Sequence, residues 1–282
     1  GDFACGAGYD SLTVSGTLGG TGTVGLCDGD DSLTLNDGAD LSGLANPIDA
    51  GAGVADTVVL DNAGALALDS GKVANFEMLQ KDSTGEATLT GDHGFAGGVL
   101  LNAGALTVAD TLTTPTVAMG DDTVLNVDTR LEAGGGAAAT IIGSAGVNTI
   151  NVADGALLVA IGDLGDGTDV LSVAGTLDSD GGVFSLGAGD DTFMVFDTTD
   201  TSNATIDGGL GNDLLDVNVG AGSTVPLGGL SGFESLGKSG EGALEIHGTS
   251  SFIDVDLAEG TLRVAGAGSV GATNTTILSG AT

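Results

Sequence analysis

The amino-acid sequence predicts an all-β chain, a single right-handed parallel β-helix (solenoid) of about 13 coils of roughly 22 residues, running as one domain over 1–282. Three observations carry this expectation. Glycine supplies 53 residues against 3 prolines; the apolar content of 41% is nearly all aliphatic, since aromatic residues make up 3%; and one short phrase recurs along the chain. Without a three-residue period that glycine content does not indicate collagen, and apolar residues spread throughout do not indicate a linker. A single globular core of this length would ordinarily split in two, whereas a solenoid grows coil by coil because each coil needs only its neighbours. The hand follows from the crossover rule for parallel strands.

The phrase is Gly-x-Gly-x-Asp-x-Leu followed by alternating apolar residues. It reads Gly6-Ala7-Gly8-Tyr9-Asp10-Ser11-Leu12 at the start, and Gly187-Ala188-Gly189-Asp190-Asp191-Thr192-Phe193 and Gly209-Leu210-Gly211-Asn212-Asp213-Leu214-Leu215 later on. Its anchoring positions are Asp10, Asp31, Asp56, Asp122, Asn148, Asp169, Asp191 and Asp213. Most neighbours in this series are one coil apart, and the long gap between Asp56 and Asp122 is three coils. Glycines allow the turn, the short Asp side chain bonds nearby backbone N–H groups, and the strand that follows points alternate side chains inward. The expected strands include Leu12-Thr13-Val14, Leu33-Thr34-Leu35, Val58-Val59-Leu60, Leu171-Ser172-Val173 and Leu215-Asp216-Val217. Stacked in parallel, they would bury a continuous aliphatic column in a rod roughly 60 Å long.

A longer repeat overlies the first. Asn75-Phe76-Glu77-Met78-Leu79-Gln80-Lys81 aligns with Gly232-Phe233-Glu234-Ser235-Leu236-Gly237-Lys238, and the same offset carries Asp56 onto Asp213 and Phe95 onto Phe252. This reads as a duplication of a multi-coil block, about 50–110 and 207–265. Duplication argues for growth of a scaffold and against a unique catalytic cleft.

The 39 acidic residues face only Lys72, Lys81, Arg130, Lys238 and Arg263, for a formal charge of −34. Nucleic acid and anionic membrane are therefore not expected partners; cations and basic protein patches are. No 18-residue apolar run offers a membrane-spanning segment. The opening residues Gly1-Asp2-Phe3-Ala4 do not resemble a signal peptide, so a processed or excised segment is expected.

The Phe-Glu-x-Leu-x-Lys segments, each followed by a Gly-containing turn and an apolar strand, together with the closing Gly260-Thr261-Leu262-Arg263-Val264, resemble passenger domains of type V autotransporters. The resemblance covers the whole chain in texture, but its motifs are short and specify a scaffold without a ligand. It implies a β-helix that passes through the periplasm and an outer membrane by way of its own C-terminal translocator barrel, a part absent from this chain. The product would be secreted or held on the bacterial surface, acting without enzymatic chemistry as an adhesin or virulence factor on a host cell-surface protein or receptor. Cysteine near the first coils is similar to the pro-angiogenic passengers that act on growth-factor receptors.

Cys5 and Cys27 lie one period apart, which would set their Cα atoms about 5 Å apart on adjacent coils. In an exported protein an even count favours a disulfide that caps the first coils. The alternative is a pair of free thiols in a ladder.

Calcium is the sharpest chemical rival. Gly208-Gly209-Leu210-Gly211-Asn212-Asp213-Leu214-Leu215-Asp216 matches the nonapeptide of calcium-binding β-rolls, which would make Asp190, Asp191, Asp213 and Asp216 ligands. Those rolls need the nonapeptide in tandem, whereas here it occurs once per coil, so the expectation is a turn ladder without metal and with no other cofactor. Polysaccharide lyases and hydrolases on β-helices use paired carboxylates, and Asp30-Asp31, Asp121-Asp122 and Asp190-Asp191 are adjacent pairs. Neighbours in a strand or turn generally point apart, so turn residues are the expectation there too. His93 and His247 occupy different phases and are expected as surface turn residues; there is no Gly-x-Ser-x-Gly elbow and no P-loop lysine. Binding is expected where coils depart from the norm, at 44–49, 111–119, 131–139 and 220–230, the first, second and fourth marked by Pro47, Pro115 and Pro226. A calcium-folded repeat protein and a surface-layer component are the other two classes.

Overall fold

The computed structural model describes every residue except Ser279, and of Ala267 the backbone alone. It is a β-solenoid of about 13 turns, built from stacked parallel strands with no α-helix among the described residues. Three faces run along the rod. The first stacks Ser11–Val14, Ser32–Asn36, Thr57–Asp61, Met78–Lys81, Gly98–Leu101, Thr116–Met119 and Ala139–Ser144 in order. The second stacks Leu66–Asp69, Glu86–Thr90, Ala105–Val108, Thr123–Val127, Asn148–Val152, Val170–Val173, Thr192–Val195, Leu214–Asn218 and Ser235–Ser239. The third, narrower face includes His93–Gly94, Thr111–Thr113, Arg130–Glu132 and Thr176–Asp178. The 11-residue strand Leu157–Gly167 serves two of them, pairing with Arg130–Glu132 at its start and with Ala139–Ser144 beyond it.

Coil length is not constant. Glu86 pairs with Ala105, a short step, while Thr123 pairs with Asn148, a longer one. Strand register absorbs the difference because only the inward positions must match, and the corners take up the extra residues. On the second face the inward column runs Leu66, Ala87, Leu106, Leu125, Ile150, Leu171, Phe193, Leu215 and Leu236, each directly above the last. Nearly all are fully buried, so the aliphatic composition becomes one unbroken core.

The duplication survives as structure. In the first copy Leu66–Asp69, Glu86–Thr90 and Ala105–Val108 pair in sequence; in the second Thr224–Leu227 pairs with Ala243–Ile246, which pairs with Thr261–Val264. Asp56 N–H donates to Glu77 Oε2 (3.0 Å), as Asp213 N–H does to Glu234 Oε2 (2.9 Å). The copies do not share a face, however: Thr57–Asp61 and Met78–Lys81 belong to the first, Leu214–Asn218 and Ser235–Ser239 to the second. Because coil length varies, the offset between the copies is not a whole number of turns, and equivalent surfaces point in different directions around the rod.

Candidate functional site

The anchoring Asp positions form two columns at corners of the rod. In the first, Asp10 N–H donates to Asp31 Oδ1 (2.7 Å), Asp31 N–H to Asp56 Oδ1 (2.6 Å), and Asp56 N–H to Glu77. In the second, Asn148 N–H donates to Asp169 Oδ1 (2.6 Å), Asp169 N–H to Asp191 (2.7 Å), Asp191 N–H to Asp213 (2.8 Å), and Asp213 N–H to Glu234. Each carboxylate thus caps the backbone donor of the coil before it, the bonding expected of a short acidic side chain at a turn, but directed between coils instead of within one. Each column ends on the longer Glu, where the phrase gives way to Phe-Glu. Asp122 does not belong to the second column: it is exposed in a left-handed backbone (φ 56°), and the buried Thr123 takes the position next to Asn148.

The column carboxylates lie inside the rod. Asp31, Asp56, Asp169, Asp191 and Asp213 are each no more than 1% exposed, and in every one the second oxygen, Oδ2, is buried without a partner. Both oxygens of Asp56 lie close to Gly53, where an added Cβ would meet them at 2.4 and 2.7 Å, so the turn has no room for a side chain at that position. The four residues of the calcium reading do not converge: Asp191 and Asp213 are core rungs, Asp190 is exposed at the corner accepting from Asn212 N–H (3.0 Å), and Asp216 sits at an outward position of its strand. Among the described residues no three His, Cys, Asp or Glu side chains gather as a metal-binding group. The pairs Asp30-Asp31 and Asp190-Asp191 point apart, the second member in and the first out.

Two further expectations are corrected. Cys5 and Cys27 are free thiols. The pairings Ala4 with Gly25 and Ala7 with Asp28 set a local step one residue shorter than the average period, so Cys27 falls beside Gly6 and out of register with Cys5. Cys27, in a left-handed backbone (φ 84°), donates its thiol instead to the Cys5 carbonyl oxygen (3.1 Å). Partial burial, with Asp10, Cys27 and Asp31 nearby, pushes the Cys5 thiol up. His93 is not a surface turn residue either: it is buried, Nε2 lies 3.1 Å from the Leu68 carbonyl oxygen, and its ring stacks on Phe95. Burial lowers its basicity, which keeps it neutral. His247 is exposed as expected, though within a strand, its Nε2 3.0 Å from Glu245 Oε1.

Of the four segments expected as binding loops, one protrudes. Residues 111–119 are two strands with Leu112, Thr114 and Val117 buried, and 220–230 contains the strand Thr224–Leu227 with Val225 and Leu227 buried. Residues 44–49 bury Leu44 and Ile48 at their two ends. Within 131–139, Ala133 and Ala137 close a small loop over Gly134, Gly135 and Gly136, all three in the left-handed region. In the proline-marked segments the apolar residues still face the core, with Pro115 between two strands and Pro226 inside one.

Two features were missed by sequence reasoning. Lys81 and Lys238 are fully buried, standing in aliphatic columns between Leu60 and Leu101 and between Val217 and Leu257. Each turns its ammonium to carbonyl oxygens of the following corner: Lys81 to Ser83, Lys238 to Ser239 and to Gly240 (2.7 Å). Their recurrence at inward positions of the alternating pattern was the available signal. The second is a shallow groove of about 450 Å³ on the second face, lined by Glu86, Thr107, Asn126, Asp128, Asn151 and Phe196 among others. Its floor is a polar ladder in which Asn151 donates to Asn126, Asn126 to Thr107 and Thr107 to Glu86.

No protein-family model, curated protein or solved structure matches the chain. The class defined here is therefore architectural: a parallel β-solenoid with carboxylate columns at its corners.

Proposed function

We propose that the chain is the binding rod of an exported bacterial protein, autotransporter-like in organisation, that engages a basic patch on a host cell-surface protein or receptor and carries out no chemistry itself. One observation carries the reading: the molecule hides most of its positive charge. Of five basic residues, Lys81 and Lys238 are in the core, Arg130 is paired with Glu132, and Lys72 is spent on the Leu44 carbonyl oxygen (2.8 Å), which leaves Arg263 exposed. The outer surface is thus close to uniformly anionic over a length of roughly 60 Å, a shape that favours steering toward a cationic partner and disfavours nucleic acid. The core is filled largely by aliphatic side chains along its length, which suits a scaffold more than a reaction centre.

The test is saturable binding of the labelled rod to intact host cells at rising salt. Specific binding that weakens steeply as ionic strength rises, and that is competed by unlabelled rod, supports the reading. Binding that is absent at low salt, or that does not saturate, refutes it.

A further inference from the structure

The second carboxylate column contains one natural amide. Register places Thr123, Asn148, Asp169, Asp191 and Asp213 in line, since Thr123 pairs with Asn148 and the next strands begin directly after each aspartate. Asn148 leaves nothing over: its Nδ2 donates to the Gly120 carbonyl oxygen (2.8 Å) and to Thr123 Oγ1 (3.1 Å), and its Oδ1 accepts from Ser144 N–H (2.9 Å). The three aspartates above it each satisfy Oδ1 and strand Oδ2 in the core. A buried anionic oxygen with no donor is costly, while a neutral carboxylic acid carries no charge to desolvate and gains an O–H donor.

Every charged group acting on the column is itself acidic: Asp191 and Asp163 on Asp169; Asp213 and Asp190 on Asp191; Glu234, Asp190 and Asp207 on Asp213. No cation among them offsets this repulsion.

We propose that the Asp169, Asp191 and Asp213 column binds protons in the folded rod, so that these coils are tightest in mild acid and loosen as the medium passes from acid through neutrality. The equilibrium agrees with the geometry. Burial pushes Asp169 up to about 7 against the Asn148 N–H bond that lowers it, pushes Asp191 up to about 6 in the same way, and raises Asp213. A group whose folded affinity for protons exceeds its unfolded one gives stability that is complete below the unfolded value, near 3.8, and lost as pH rises through the folded value. The window therefore runs from about pH 4 to about pH 7, from the unfolded carboxylate value up to the folded ones. Asp56 in the first column is raised by burial too and adds to the same trend.

The test uses the full chain. Difference infrared spectra between pH 5.5 and 8.5 should show the carbonyl stretch of a protonated carboxyl at the lower pH, and the melting midpoint should be higher at pH 5.5 than at pH 8.5. The variant Asp169→Asn/Asp191→Asn should lose most of that band and most of the pH dependence, with Asn148 as the precedent for an amide in the column. An Asp154→Asn/Asp216→Asn control, altering carboxylates outside the core that do not act on the column, should keep both. If the unmodified rod shows no protonated-carboxyl band at pH 5.5, or melts at the same or a higher temperature at pH 8.5, the proposal is overturned; the spectrum of the unmodified protein decides this even where a variant fails to fold.

Discussion

Replacing Gly189 by alanine tests the corner geometry most directly. Gly189 has φ +148°, and a Cβ there would sit 1.5 Å from the Gly167 carbonyl oxygen of the preceding coil. A carbon against a carbonyl oxygen needs about 3.3 Å, so the corner would have to open by nearly 2 Å. Opening it strains the Gly189 N–H bond to the Leu210 carbonyl oxygen (2.7 Å) and the Leu210 N–H bond to Gly187 (2.8 Å), and pulls on the nearby Asp191 rung. The backbone conformation costs about 1–3 kcal/mol for a non-glycine residue, and two weakened corner hydrogen bonds about 1–1.5 kcal/mol each, so the loss is about 3–6 kcal/mol, centred on about 4–5 kcal/mol. Gly155 provides the control: it is left-handed too (φ +76°), but nothing lies within 4 Å of its added Cβ, so Gly155→Ala should cost only about 1–2 kcal/mol. At about 2.1 cal/mol/K per residue, unfolding entropy for a chain this long is about 0.6 kcal/mol/K, which converts the two losses to drops of about 8 °C and about 2–3 °C. Circular dichroism melting measures both, and hydrogen exchange at Asp191 and Asp213 should report local opening in Gly189→Ala alone. Equal shifts for the two variants would refute the claim that the neighbouring coil, and not backbone conformation, fixes glycine at this corner.

Further outcomes are expected. Thiol titration of the purified rod under non-reducing conditions should find two reactive thiols per chain, and finding none would restore the disulfide. Lys81→Met should melt at the same or a slightly higher temperature, by at most about 2 kcal/mol, because a side chain of similar length removes a desolvated charge from the core; a large loss would mean that the bond to the Ser83 carbonyl oxygen holds the corner. Phe193→Ala, at a fully buried column position, should lose about 3–5 kcal/mol in denaturant unfolding, and a loss under about 1 kcal/mol would contradict the continuous core. Excess calcium followed by chelator should leave the melting curve unchanged, since Asp190 and Asp216 lie outside while Asp191 and Asp213 lie within; a chelator-dependent melt would overturn that separation.

Much of this was legible in residue order alone. Alternation of Leu, Val and Thr after each Gly-x-Asp phrase identified strands and their inward faces, because side chains on a strand alternate with period two whatever surrounds them. The period and the duplication of the Phe-Glu block followed from counting. Even the split of Asp190 from Asp191 follows from neighbours pointing apart. The cysteine pairing failed for a reason of the same kind: the average period hid a shorter local step, and a slip of one residue moves a side chain from one partner to the next.

What the sequence determined by itself is the repeating unit, since periodic apolar and turn residues leave a chain of this composition few ways to bury its aliphatic side chains other than by stacking coils. Tertiary structure alone decided what the inward polar residues bond to. The phrase and the alternation point Asp191 and Lys81 inward, but nothing local supplies the partners with which they and His93 are buried. Their place depends on what the surrounding stack offers: a backbone N–H below an aspartate, corner carbonyl oxygens beside a lysine, an aromatic ring under a histidine. For the aspartates those partners lie a full coil away at steps that vary along the rod, and only the register of the folded stack brings them to the same place.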